Sequence, residues 1–156
     1  NSENVKQAFE RSQKLGVLPN SFTRGAGRMT GFLGEIAFES LYTGAKYVGG
    51  HVVSHDYLLG NKKIDVKAKT CGGKPLPHYI ASVNCSKSSS PKAGYYYFVR
   101  VQKDLSCAWL LGWVTRAKLL KDGEYKRRGD EDECGFKYKM NGYHLPISDL
   151  RTPLSL

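Results

Sequence analysis

The 156-residue sequence has no apolar run close to the roughly 18 residues a membrane-spanning helix needs, which excludes an integral helical membrane protein. Its opening residues, Asn1-Ser2-Glu3-Asn4-Val5-Lys6, lack the apolar stretch of a secretory signal, so a cytoplasmic location is the expectation. Cysteine is sparse. Cys71, Cys85, Cys107 and Cys134 form no Cys-x-x-Cys pair, which argues against a structural zinc knuckle and for reduced, structural thiols. His51, His55, His78 and His144 show no metal spacing, and no phosphate-cradling glycine loop suggests a nucleotide cofactor. Acidic residues are in short supply, 14 against 24 Lys and Arg, which leaves a net charge of +10.

What is present is a folding composition. Hydrophobic residues make up 40% and aromatics 12%, too much for a disordered basic tail. The length suits one domain, and such a chain can bury about 68–70% of its unfolded surface without staples. A folded domain this basic suggests a polyanionic partner, usually nucleic acid.

Val5, Ala8, Phe9 and Leu15 share one face of a helix expected over residues 3–15, stopped by Gly16 and Pro19-Asn20. The basic, glycine-punctuated stretch Thr23-Arg24-Gly25-Ala26-Gly27-Arg28 reads as an anion-contacting loop or as a linker. A second helix is expected from a Thr30 cap through Tyr42, with Phe32, Leu33, Ile36, Ala37 and Leu41 on its apolar face. The period then becomes that of strands at 47–48, 51–59, 63–70, 78–83, 95–102 and 108–114. Gly60-Asn61 marks a two-residue hairpin turn. Thr115 should cap a short helix over 116–121, followed by a mixed-charge loop over 121–135, a late strand over 136–140 and a tail packed on the core. The fold class is α/β, a central mixed sheet flanked by helices.

The chemistry-bearing stretch runs from His55 to Lys69. A Gly60-Asn61 turn puts Asp56 across from Asp65, and alternation puts Asp65, Lys67 and Lys69 on one face with Ile64, Val66 and Ala68 on the other. Opposed like charges are destabilising, and a cation between them relieves that. Two carboxylates suit Mg²⁺, with Mn²⁺ able to substitute, and a lysine two positions on would lie beside metal and phosphate. The spacing alone says little, because Glu124-Tyr125-Lys126 matches it in a polar loop without an upstream strand partner. Asp65-Val66-Lys67 differs in its strand context, in its hairpin mate and in the Glu35 helix that precedes both.

These residues resemble the PD-(D/E)XK nuclease superfamily. Gly34-Glu35 matches the helix of its core, Asp56 the end of one strand, and Ile64-Asp65-Val66-Lys67-Ala68-Lys69 its catalytic strand. The run from Tyr97-Phe98-Val99 to Trp113-Val114-Thr115 is similar to the closing strands of small phage and restriction-type members, so the likeness spans about residues 30 to 120. His55-Asp56 stands where the family has Pro-Asp. The resemblance implies a restriction-endonuclease-like core and a Mg²⁺-dependent endodeoxyribonuclease of a bacterium or a phage-infected cell. By the same carry-over Asp56, Asp65 and the Val66 carbonyl would hold the metal, Lys67 would position and activate the attacking water, and Glu35 would reach a second metal directly or through water. Glu39 lies near the same side and competes with Glu35 for that part. DNA is the implied partner, with a homodimer to cut both strands. A Holliday-junction resolvase and a non-catalytic DNA-binding module are the rival readings.

Arg24, Arg28, Lys62, Lys63, Lys69 and Lys74 are the candidates for gripping phosphates. Tyr95-Tyr96-Tyr97 reads either as a base-stacking platform or as the start of a buried strand. The acidic run at 130–133 reads as a phosphate mimic or as part of a loop.

Overall fold

A computed structural model describes residues 2–14, 27–49, 52–85 and 90–156. The helix stop at Gly16 and Pro19-Asn20, Arg24 with most of its loop, His51 and residues 86–89 lie outside these.

Alternation of apolar and polar residues builds a five-stranded mixed sheet in the order β1-β2-β3-β5-β6. Its strands are β1 (Lys46–Tyr47), β2 (Tyr57–Leu59), β3 (Lys62–Cys71), β5 (Tyr95–Gln102) and β6 (Ala108–Thr115). β3 and β5 run parallel and the other neighbours antiparallel. On one face, Ile64, Val66, Tyr97, Val99 and Val101 bury against α1 (Ser2–Lys14) and α2 (Arg28–Leu41) through Ala8, Phe32, Leu33, Ile36 and Phe38. Gly34 lets α2 come down onto β3, since a Cβ there would lie 2.5 Å from that of Ala68. The other face buries Tyr96, Phe98 and Val114 against Ala81, Val83, Leu119 and Leu145. These come from β4 (Ile80–Cys85), α3 (Arg116–Asp122) and β8 (Asn141–Pro146). β4, β8 and β7 (Glu124–Lys126) form a second, three-stranded antiparallel sheet. The α/β class and the central mixed sheet are therefore as expected, while the second sheet is an addition.

Several boundaries move. α2 starts at Arg28 with Gly27 as its N-cap, so Thr30 is a buried residue of the first turn and caps nothing. The expected strand at 51–59 is a strand only from Tyr57, because Val48 and Gly49 both donate backbone hydrogen bonds to the Asp56 carbonyl and fold the chain back. The late strand is 141–146 rather than 136–140. Glu124-Tyr125-Lys126 is a strand after all, paired with β8 downstream. Thr115 does cap α3, its hydroxyl accepting from the Lys118 amide at 3.2 Å. Tyr96 and Tyr97 are 1% and 0% exposed, which decides for the buried strand over the stacking platform. All four cysteines are free thiols. Among the described residues no helix is long and apolar enough to cross a membrane.

Candidate active site

The β2–β3 hairpin closes on a two-residue turn in which Gly60 takes the left-handed φ of 59°, the glycine-first pattern of a type II′ turn. Its register, Tyr57 with Ile64 through Leu59 with Lys62, is the one the sequence implied. Continued by one residue, it brings Asp56 to Asp65. Asp56 is fixed at the open end of the hairpin from several sides. Its amide donates to the Ile64 carbonyl at 2.9 Å, and its Oδ2 accepts from the Val66 amide at 2.8 Å. Gly49 closes over it, and a Cβ at that position would stand 3.2 Å from Asp56 Oδ1 and 3.0 Å from the Tyr47 ring.

Asp65 and Lys67 project from the opposite face of β3 to Ile64 and Val66. Lys67 Nζ lies 2.8 Å from Asp65 Oδ1 in a half-buried ion pair. Burial, then the Asp65 charge, pushes the Asp56 carboxyl from 3.8 to about 7, against the Val66 amide and Lys67, which favour ionisation. Burial pulls Lys67 down, but Asp65, Asp56 and Cys85 outweigh it and the ammonium ends above its ordinary value. Lys67 is thus a firmly held cation beside the two aspartates.

The two aspartates fit a divalent cation. Asp56 resists ionising beside Asp65, and a positive ion between them would remove that conflict. The Val66 N–H points at Asp56, and in a strand the carbonyl of the same residue projects to the same edge, beyond the start of β2. Among the described residues no three His, Cys, Asp or Glu side chains converge to hold a metal, so Glu35 does not complete a cluster with Asp56 and Asp65. The reason is the layering, because α2 packs on the face of β3 away from Asp65 and Lys67. Glu35 is half-buried, with Oε2 inside. Glu39 has a different task, accepting from the buried Tyr57 hydroxyl at 2.7 Å.

The basic residues divide. Lys63 and Lys74 are exposed. Lys62 points away from the site, its ammonium donating to the Leu156 carbonyl and lying 5.8 Å from the centre of the Tyr95 ring. Arg28 keeps Nε and Nη2 buried, which withdraws them from an outer phosphate-binding surface. Lys69 shares the face of Asp65 and Lys67 and donates to the Ser82 hydroxyl at 2.9 Å. His55 is buried, with Nδ1 2.9 Å from the Ser54 hydroxyl.

The acidic run folds its own loop. Asp130 Oδ2 accepts from the Arg127 amide at 2.7 Å, and Asp132 Oδ1 from the Cys134 and Phe136 amides at 3.0 and 2.8 Å. These turn-forming bonds hold the Asp130 and Asp132 carboxylates within the loop. Sequence reasoning missed Gly49, Cys85, Ser82 and His144 as neighbours of the site. The expected strand over 78–83 included Ser82, while Cys85 enters because the observed strand is Ile80–Cys85. No family model matches the chain, and no curated protein does either.

Proposed function

We propose that the protein is a metal-dependent endodeoxyribonuclease built on a restriction-endonuclease-like core, hydrolysing DNA phosphodiester bonds at the Asp56–Asp65–Lys67 site. The observation that carries the reading is the convergence of Asp56 and Asp65 at the open end of a hairpin, with Lys67 2.8 Å from Asp65. A binding-only scaffold gains nothing from opposed carboxylates, which cost stability. Asp56, Asp65 and the Val66 carbonyl would hold Mg²⁺ or Mn²⁺. Such an ion supplies Lewis-acid stabilisation of the attacking and leaving oxygens.

The chain's own residues do the rest. The Val66 amide and Gly49 fix Asp56, so the carboxylate pair is preorganised rather than assembled on binding. Lys67 directs its ammonium toward the scissile phosphate and orients the attacking water. As the Asp65 charge is spent elsewhere, the support that keeps Lys67 protonated weakens and its proton becomes easier to move. Glu35 would act only through water. Lys63 and Lys74 would steer the polyanion to the site without reading sequence. A homodimer would present two sites to the two strands.

The test is cleavage of supercoiled plasmid and of a labelled four-way junction, in Mg²⁺ and in EDTA. Nicking or linearisation in Mg²⁺ alone supports the reading. Preference for the junction at equal salt makes the enzyme a resolvase. Binding without cleavage in Mg²⁺ and Mn²⁺ makes the protein a DNA-binding module.

A further inference from the structure

Beside the candidate active site lies a cavity of about 310 Å³ between β4, β8 and the loop that follows β7, walled by Lys69, Ser82, Asn84, Phe136, Tyr138 and His144 among others. That volume is at the small end of the roughly 300–1,000 Å³ of small-molecule sites. Aromatic rings make part of its wall. Phe136 is 56% exposed and meets Tyr138 edge-on at 5.5 Å, and Tyr138 lies 4.8 Å from the His144 ring.

Its polar groups form an ordered chain. The Lys69 ammonium donates to Ser82 Oγ at 2.9 Å, which leaves the Ser82 proton to go to His144 Nδ1, also at 2.9 Å. That fixes the single ring proton of the neutral His144 on Nε2. This Nε2 is buried and, among the described residues, has no hydrogen-bond partner, on a residue only 9% exposed. Burial and the nearby Lys69 charge hold the imidazole neutral, with its pKa lowered to about 4. A buried donor left unspent on a cavity wall is costly, and an occupant carrying an acceptor would use it.

The cavity also has a fixed position. Lys69 follows Lys67 by two residues on the same face of β3, roughly 7 Å along the strand, a distance on the scale of one nucleotide step. A smaller recess between them is lined by Lys67, Lys69 and Ser82 among others, so it shares residues with both places.

We propose that this cavity receives one unpaired nucleobase of the substrate strand, next to the phosphate held at Asp56, Asp65 and Lys67. The inference rests on the nuclease reading and narrows it. The substrate presents an unstacked nucleotide beside the cut, as single strands and distorted duplexes do. Phe136 and Tyr138 supply the stacking faces, His144 and Asn84 the edge contacts, and Lys69 stands at the threshold on the phosphate side. A base stacked in regular duplex cannot enter without being flipped out.

The experiment uses the full chain carrying Lys67→Ala, in EDTA, with a short single-stranded oligonucleotide that contains one fluorescent adenine analogue. Binding should quench the analogue. Phe136→Ala should abolish the quench and weaken binding about tenfold, the size of one lost stacking contact. An oligonucleotide abasic at that position should bind about tenfold more weakly to the protein that retains Phe136 and lose nothing further on Phe136→Ala. Asn84→Ala, at an exposed rim position, provides a second variant should Phe136→Ala unfold the loop. Absence of quenching, or independent losses from the abasic site and Phe136→Ala, overturns the proposal. A deoxynucleoside monophosphate that perturbs Ser82 and His144 amide signals while the oligonucleotide is not quenched assigns the cavity to free nucleotides and also overturns it. None of these measurements requires cleavage. Quenching by Lys67→Ala alongside a wild type that never cuts DNA in Mg²⁺ sinks the nuclease reading alone, and wild-type cleavage without quenching by Lys67→Ala sinks the cavity assignment alone.

Discussion

Replacing Asp56 by asparagine should stabilise the metal-free protein at pH 8. Asp56 pairs a carboxyl raised from 3.8 to about 7 with a neighbour, Asp65, that repels its charge. A group whose native pKa is raised binds its proton more tightly when folded, so its contribution to stability falls as pH climbs from 3.8 to about 7. At about 1.4 kcal/mol for each pH unit, the ionised Asp56 costs up to about 4 kcal/mol at pH 8 and almost nothing at pH 3.8. The side-chain amide introduced by Asp56→Asn keeps an oxygen that can accept from the Val66 N–H, so the geometry survives the change. Urea unfolding in EDTA should show Asp56→Asn more stable than wild type by about 2–4 kcal/mol at pH 8, with the gain shrinking toward pH 4. Comparing variant with wild type cancels the titrating groups that do not interact with Asp56. Saturating Mg²⁺ should stabilise the wild type and leave Asp56→Asn nearly unchanged. A variant that is less stable at pH 8, or equally displaced at both pH values, would refute the argument that the carboxylates are held in conflict.

Gly34→Ala should destabilise by about 1–3 kcal/mol in urea melts, because the new methyl meets Ala68 at 2.5 Å and must push α2 from β3. Tyr57→Phe should cost about 1 kcal/mol through the lost bond to Glu39, while Glu39→Gln, which keeps an acceptor, should leave DNA cleavage within about twofold. His144 titrates the other way from Asp56. Its pKa is lowered from 6.5 to about 4, so it contributes stability above pH 6.5 that is lost as pH falls toward 4, and His144→Gln should flatten that limb by about 3 kcal/mol. Lys63→Ala should weaken DNA binding about equally for every sequence and reduce the salt slope by about one in a double-logarithmic plot.

The hairpin was legible because its signals are local. Gly60-Asn61 sets the register, and a period of two separates Asp65 and Lys67 from Ile64 and Val66, so two aspartates and a lysine could be placed without tertiary information. Gly34 was legible as part of the Gly34-Glu35 match, and the structure gives it a packing role, the close approach of α2 to β3. What the sequence hid depends on distant pairing. β4 and β8 lie about sixty residues apart and join through Ser82 with His144 and Val83 with Tyr143, which no local pattern announces. The 121–135 segment reads as solvated charge, yet Asp130 and Asp132 spend their oxygens on backbone amides, a turn chemistry that composition resembles only loosely. The position of Glu35 in the helical layer, apart from the two aspartates, likewise follows from which face of β3 the helix covers.

The central claim is tested most directly by single-turnover cleavage of supercoiled plasmid in saturating Mg²⁺ by wild type and Lys67→Ala, with DNA affinity measured in parallel in EDTA. The account predicts that the wild type cuts and that Lys67→Ala is at least about 100-fold slower, at an affinity within about threefold of wild type, the loss of a charge placed for the transition state. Cleavage at equal rates by both proteins, or none by either, would contradict it.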